Sequence, residues 1–182
     1  MLCNLLTVDV EDNFTYEELT NKKDWQKYED QVVENTLRIL SLLKKYNVSA
    51  TFFVVGMVAE RHPELVGYII KSGCEIASHS YWHKPLRQMV MDEVEKDAKS
   101  SMEILSSLAG RPILGYRAMG FSIPEDEIKF LQLLKKYGYT YDSSNKYNKY
   151  NTCQTILNND ILQIYPSSLN LFDTKIYFAK PV

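Results

Sequence analysis

Two histidines four residues apart are the side chains of this sequence best suited to chemistry. His79 and His83 lie in the segment SHSYWH and are two of only three histidines in 182 residues. On a helical turn, residues at i and i+4 share one face, with Cβ atoms about 5–6 Å apart. Two imidazole nitrogens can then bind one cation at about 2.0–2.1 Å each. The spacing therefore predicts a pair of metal ligands.

Three carboxylates far upstream can complete such a site. Asp9, Glu11 and Asp12 end an apolar stretch that begins at Leu5. Two histidines and one carboxylate, with coordination positions left open, are typical of a hydrolytic metal centre rather than a structural one. The sequence therefore predicts a hydrolytic site formed by distant parts of the chain.

Composition and charge limit the classes of protein that need to be considered. Apolar residues make up 45% of the chain and charged residues 24%, which is ordinary for a globular protein. The length suits one domain with a full core, so residues 1–182 are predicted to form a single domain. The net charge of −2 gives no electrostatic basis for binding nucleic acid or an anionic membrane, and we predict neither partner.

The N-terminus and the cysteines indicate the cellular compartment of the protein. No basic segment precedes the first apolar residues, and no apolar run approaches the length of a membrane span. Cys3, Cys74 and Cys153 are widely spaced and odd in number, which favours reduced thiols. We therefore predict a cytoplasmic protein without a signal peptide or membrane insertion.

Apolar segments alternate with amphipathic ones along the chain. The apolar segments predicted as strands are 5–10, 48–55, 74–78, 113–116 and 139–141, followed by strand-like runs at 161–165 and 175–179. The predicted helices are 32–46, 58–72 with a break at Pro63, 91–108 and 124–137. Residues 13–29 and 145–151 are interpreted as loops. This alternation predicts an α/β fold with a parallel sheet covered by helices.

The polar residues follow the predicted strands. Asp9, His79, Arg117 and Asp142 each come at the end of an apolar strand segment. Side chains that converge at the C-terminal ends of parallel strands form the active sites of barrel enzymes. The four residues are therefore expected to lie near one another.

The segments that carry these residues resemble the ordered motifs of polysaccharide deacetylases (NodB homology domain, carbohydrate esterase family 4). They read TVDVED at 7–12, ATFFVVG at 50–56, EIASHSYWH at 75–83, GYRAMGFS at 115–122 and GYTYDSS at 138–144. The resemblance runs from residue 5 to about residue 166. It implies an irregular (β/α) barrel, incomplete at the C-terminus because the family's last motif has no counterpart here.

The resemblance also implies roles for single residues. His79 and His83 match the metal ligands, Asp9 the general base, and Arg117 the residue that orients this base. The commoner family form has two adjacent aspartates, whereas Val10 stands second here. Because residues i and i+2 of a strand share a face, Glu11 is favoured as the metal carboxylate over the alternative, Asp12.

Two positions concern the later steps of catalysis. The backbone N–H of Gly120 matches the family's oxyanion donor, although Met119 replaces the usual proline before it. Asp142 matches the residue that supports a general-acid histidine. No histidine follows His83 in this chain, so that acid has no counterpart.

The predicted function is therefore metal-dependent removal of acetyl groups from a sugar or polysaccharide intermediate. Zn²⁺ is the expected cofactor, with Co²⁺, Ni²⁺ and Mn²⁺ as alternatives, and the expected partner is an acetylated glycan. A cytoplasmic location favours biosynthesis of a surface polysaccharide. Two alternatives stay open: a metal-dependent hydrolase of a small non-glycan amide, and a catalytically incomplete glycan-binding protein.

Overall fold

A computed structural model describes most of the chain. The described residues are 5–12, 15, 29–145, 155–158, 160–171 and 174–179, with side chains described except at 155–158 and after residue 166. The predicted loops at 13–29 and 145–151, except for Thr15, residue 29 and residue 145, lie outside the described residues. So do Cys3 and Cys153, whereas Cys74 is a buried free thiol.

Seven strands form the main sheet, in the order β1-β2-β3-β4-β5-β7-β6. Their bounds are β1 Thr7–Val10, β2 Thr51–Val54, β3 Glu75–Ser78, β4 Gly115–Tyr116, β5 Tyr141–Asp142, β6 Thr155–Asn158 and β7 Ile161–Ile164. Neighbouring strands run parallel, except that β6 is antiparallel to β7. A separate antiparallel pair consists of β8 (Pro166–Leu171) and β9 (Thr174–Ala179).

In the part of the chain that the structure describes, five α-helices lie between the strands, and they confirm the predicted α/β alternation. Their bounds are α1 Val32–Tyr46, α2 Gly56–Arg61, α3 Pro63–Lys71, α4 Met91–Ala109 and α5 Glu127–Lys136. The predicted break at Pro63 separates α2 from α3, because proline is favoured at the first position of a new helix. None of the described helices is long and apolar enough to cross a membrane.

Several predicted bounds differ from the structure. Strands β1 to β5 and β7 are shorter than predicted, β9 begins one residue earlier than predicted, and β6 and β8 were not predicted at all. Helix α5 begins at Glu127 rather than at residue 124, because the Asp126 carboxylate accepts the N–H of Lys129 at 2.9 Å and caps the helix there. The described strand pairing leaves β1 and β6 at the two edges of the sheet.

The side chains of the strands divide between two faces of the sheet. Phe52 lies in register with Ile76, and both belong to the apolar core. The neighbouring row holds Asp9, Phe53 and Ala77. Because successive strand residues point to opposite faces, Asp9 lies on the face away from that core.

The same alternation brings two residues beyond the strands to the face of Asp9. Ser78, the last residue of β3, points to the helices, where its hydroxyl contacts a serine of α4. Tyr116, the last residue of β4, also belongs to the core. The next residues, His79 and Arg117, therefore emerge on the other face, at the C-terminal ends of the parallel strands.

Candidate metal centre

A non-helical loop brings the two histidines together. The spacing first suggested a helical turn, but the segment after β3 contains Ser80 at φ 61° and His83 at φ 55°, both in the left-handed region. The rings of His79 and His83 lie with centroids 5.1 Å apart, and both side chains are buried. The pair therefore exists because the loop folds back after the strand.

Glu11 lies against both imidazoles. Its Oε2 is 2.5 Å from Nε2 of His83 and 3.4 Å from Nε2 of His79. Ligand atoms of these three residues all lie within 4.8 Å of one another. The alternation argument thus agrees with where the structure places Glu11.

The orientation of His79 suits a cation. Its Nδ1 is 2.8 Å from the carbonyl oxygen of Arg117, which can only accept, so Nδ1 carries the proton. In the neutral ring, Nε2 then presents its lone pair toward Glu11, which is the arrangement of a metal-binding histidine. Burial lowers the pKa of His79, but the Asp9 and Glu11 carboxylates outweigh burial and raise it overall. The imidazole nitrogen and the carboxylates that converge here are suitable ligands for a divalent ion.

Asp9 lies beside this group, held by Arg117. The Arg117 Nη1 donates to Asp9 Oδ1 at 2.7 Å, and Asp9 Oδ2 is 3.9 Å from Nε2 of His79. The guanidinium lies 3.9 Å from the ring centroid of Phe53, and its Nη2 donates to Ser143 at 2.9 Å. Arg117 thus contacts Asp9 through one nitrogen rather than a two-nitrogen fork, and the second Asp9 oxygen faces the histidines.

Asp12 points elsewhere. Its carboxylate accepts the backbone N–H of Gln31 at 2.7 Å, and its carbonyl accepts the Thr15 hydroxyl at 2.6 Å. The structure therefore groups Glu11 with the histidines and ties Asp12 to the start of α1.

Replacing the carboxylates of Glu11 and Asp12 one at a time by amides is expected to separate their roles. Glu11→Gln should lower Zn²⁺ affinity strongly, because the amide is a weaker ligand than the carboxylate. Asp12→Asn, the matched control in the same segment, should bind Zn²⁺ as the wild type does. Titration with a competing chromophoric chelator measures both. Loss of Zn²⁺ in Asp12→Asn with retention in Glu11→Gln would reverse the assignment.

Gly120 and Asp142 are the two remaining residues predicted to take part in catalysis. Gly120 is exposed in the 3₁₀ turn Met119–Phe121, with φ 58°, and its role as oxyanion donor stays a prediction. Asp142 lies in register with Tyr116, on the helix-facing side of the sheet. Its Oδ1 accepts the Ser144 hydroxyl at 2.5 Å, and Ser144 Oγ accepts the N–H of Ala118 at 2.8 Å. Asp142 thus supports the loop that follows Arg117.

The Asp142 carboxyl is electrostatically costly when ionised. It is 1% exposed, and its Oδ2 has no hydrogen-bond partner among the described residues. Burial raises its pKa from an ordinary 3.8 to about 7, more than the hydrogen bonds from Ser144 lower it. Between these values the folded chain binds a proton that the unfolded chain releases.

The stability of the wild type should therefore fall relative to Asp142→Asn as pH rises through this window. The folded pKa is raised, so the unfolded state binds fewer protons and the free energy of unfolding decreases with pH. The difference between the two proteins should change by up to about 1.4 kcal/mol per pH unit between roughly pH 4 and 7, then level off. Urea unfolding at a series of pH values measures it. A difference independent of pH would show that Asp142 does not titrate there.

Sequence reasoning missed the residues that support the site. Asp97 on α4 is buried, and burial raises the pKa of its carboxyl to about 6. Ser143 and Ser144 hold Arg117 and the following residue. Asp97 could have been noticed in the sequence, because it falls within the helical stripe of small and apolar residues that α4 buries. The other members of this stripe are Val94, Ala98, Ser101 and Leu105. A carboxylate in such a stripe needs a buried partner.

Comparisons with known proteins place the sequence in a family. The sequence model of the polysaccharide deacetylase family matches residues 17–141, which is more than half of the chain. That match begins after Asp9 and Glu11 and ends before Asp142. A peptidoglycan-N-acetylglucosamine deacetylase of Bacillus cereus is 37% identical over 98 residues, covering 54% of this chain. A peptidoglycan deacetylase of Helicobacter pylori is 33% identical over 115 residues, covering 62%. The chain spans only 36% and 38% of these two relatives.

Solved structures share the fold. A Mycobacterium smegmatis protein, provisionally assigned as a polysaccharide deacetylase, superposes with a TM-score of 0.70 at 26% identity, covering 90% of this chain and 58% of its own. A carbohydrate esterase family 4 pseudoenzyme of Bacillus anthracis superposes with a TM-score of 0.58 at 19% identity, covering 74% and 40%. The predicted α/β fold of this type is confirmed. Together with the family match, this shows that the chain belongs to the polysaccharide deacetylase family.

Proposed function

We propose that this chain is a metal-dependent hydrolase that removes acetyl groups from a sugar or glycan. The observation that carries the proposal is the convergence of Glu11, His79 and His83 within 4.8 Å, beside the Asp9 carboxylate held by Arg117. Family membership alone does not establish activity, since one structural relative is a pseudoenzyme. The side chains of this particular molecule therefore have to support the chemistry.

Glu11, His79 and His83 would hold the ion through one oxygen and two nitrogens. Nitrogen and oxygen donors of this kind suit Zn²⁺, and also Co²⁺, Ni²⁺ or Mn²⁺. A divalent ion held there would supply Lewis acidity and would lower the pKa of bound water toward about 7.

We propose Asp9 as the general base. One of its oxygens is fixed by the Arg117 guanidinium at 2.7 Å, which orients the carboxylate. The other oxygen faces the histidines, where it can accept the proton of an attacking water. The Asp9 side chain is 30% exposed, so water and substrate can reach it.

The named activities of the relatives suggest the substrate class. The two relatives reported above are peptidoglycan deacetylases, one of them acting on N-acetylglucosamine residues by name. We therefore propose an acetylated amino sugar or its polymer as substrate. A small non-glycan amide stays the alternative, and acetate release from acetylated sugars separates the two.

The leaving group sets an order among substrates. An amine leaving group needs a proton before it departs. The alcohol part of an ester can leave as an alkoxide, which is less basic than the anion of an amine. No histidine follows His83 in these 182 residues to supply that proton. This chain should therefore hydrolyse activated acetyl esters faster than N-acetyl sugars.

The test measures acetate release from an aryl acetate and from N-acetylglucosamine oligomers, with added Zn²⁺ or Co²⁺. Asp9→Asn serves as the background. Metal-dependent ester hydrolysis above that background is the expected result. Release from neither substrate would defeat the proposal and favour a glycan-binding protein without turnover. Equally fast release from the oligomers would show that another group donates the proton.

A further inference from the structure

Asp97 makes an unusual contact with the loop that carries the two histidines. Its carboxylate is 2% exposed and lies on α4, far along the chain from β3. Oδ1 accepts the backbone N–H of Tyr81 at 2.9 Å, and Oδ2 accepts that of Trp82 at 2.8 Å. Tyr81 and Trp82 are two of the three residues between His79 and His83. One buried side chain therefore fixes two consecutive peptide units between the ligands.

The loop needs fixing because its backbone is strained. Ser80 and His83 both adopt left-handed φ values, which residues other than glycine rarely hold unless the surroundings impose them. The carbonyl groups of the loop are held from the opposite side, since Gly56 N–H donates to Ser80 at 2.9 Å and Met57 N–H donates to Tyr81 at 3.2 Å. The loop is thus clamped between the start of α2 and Asp97.

The loop packs closely against the start of α2. A Cβ atom placed on Gly56 would lie 2.5 Å from the Tyr81 ring and 3.0 Å from its Cα. This close contact blocks movement toward α2, and the Asp97 carboxylate holds two backbone N–H groups of the loop. The backbone that joins the two histidines is therefore held by the Asp97 carboxylate.

We infer that Asp97 is a positioning residue of the metal centre, which sets the geometry of His79 and His83 through the backbone between them without touching the ion or the substrate. The inference rests on the proposed function, because it concerns the ion which that function requires. Through Asp97, helix α4 would contribute to metal binding although it carries no metal ligand.

The test replaces Asp97 with asparagine, which has almost the same shape. The amide keeps one acceptor oxygen, but its NH₂ group then faces a backbone N–H that has lost its partner. Zn²⁺ affinity, measured by competition with a chromophoric chelator, should fall about 10–100-fold, as for other groups that orient metal ligands. The absorption spectrum of the Co²⁺-loaded protein should also change, because the ligand geometry relaxes.

A matched control lies two residues earlier on the same helix. Among the described residues, Glu95 pairs with Lys136 and Tyr137 of the α5 end rather than with the histidine loop. Glu95→Gln should bind Zn²⁺ with wild-type affinity and give the wild-type Co²⁺ spectrum. A general weakening of α4 is thereby separated from an effect on the metal site.

The outcomes distinguish this inference from the proposed function. Wild-type protein that binds no Zn²⁺ defeats the metal site itself. Wild-type binding together with unchanged affinity and spectrum in a folded Asp97→Asn variant defeats only the role of Asp97. If the variant does not fold, hydrogen exchange is measured on the metal-free wild type instead. Backbone amides of Tyr81 and Trp82 that are protected from exchange support the inference. Amides that exchange as fast as in an unfolded chain overturn it.

Discussion

Replacing His79 and His83 together with alanine is expected to abolish stoichiometric metal binding and all metal-dependent acetate release. Two of the three grouped ligands disappear, and Glu11 alone offers a single carboxylate, which is too few donors for a zinc site. Each single replacement should also lose the ion at micromolar concentrations. Elemental analysis of protein dialysed against a metal-buffered solution gives the stoichiometry.

The third histidine provides the control. His62 Nε2 lies 3.1 Å from Asp30 Oδ2, at the junction of α2 and α3 and outside the histidine loop. His62→Ala should retain one ion per chain. Retention of one ion by the double variant would mean that the metal lies elsewhere, and the proposed function would lose its basis.

Some of this site could be predicted from the sequence because its residues follow simple periodicities. The strands have a period of two residues, so Asp9 and Glu11 had to share a face, and the structure places Glu11 against both histidines. Parallel strands end at one edge of the sheet, so His79 and Arg117 had to lie near Asp9. These are local rules, and they need no knowledge of distant contacts.

The loop between the histidines shows where such rules stop. A four-residue spacing suggests a helical turn, yet the backbone turns through two left-handed residues. That conformation is stabilised by Asp97 and by the N–H groups of Gly56 and Met57, which lie far away in the sequence. No local pattern encodes a loop whose shape is set by other elements.

Asp142 illustrates a second limit. Its position after an apolar segment suggested that it converges with Asp9, but β5 pairs with β4 so that Asp142 lies beside Tyr116, on the helix-facing side. The strand has only two residues, Tyr141 and Asp142, and a shift of one residue exchanges the two faces. Register in so short a strand depends on its neighbours rather than on its own sequence.

Replacing Asp9 with asparagine is expected to remove most of the activity while leaving the metal in place. Asparagine Oδ1 can still accept from Arg117, so the guanidinium keeps its partner and the local structure should persist. The amide cannot take a proton from water near pH 7, and loss of a general base costs about 10²–10⁴-fold in rate. Initial rates with the aryl acetate, at saturating Zn²⁺, measure the loss, and chelator competition measures the affinity.

The control for Asp9→Asn is a second carboxylate in the same sheet. Glu75 lies in register with Thr51, whose hydroxyl it accepts at 2.6 Å, and its other oxygen accepts the Tyr141 hydroxyl at 3.0 Å. Glu75→Gln removes a negative charge from the same sheet without altering the group near the metal, so its rate should stay within a few-fold of the wild type. If Asp9→Asn loses its metal and its activity in parallel, Asp9 is a ligand rather than the base. If it keeps both, the proton of the attacking water goes to another group, and Glu11 is the nearest carboxylate to the histidines that could receive it.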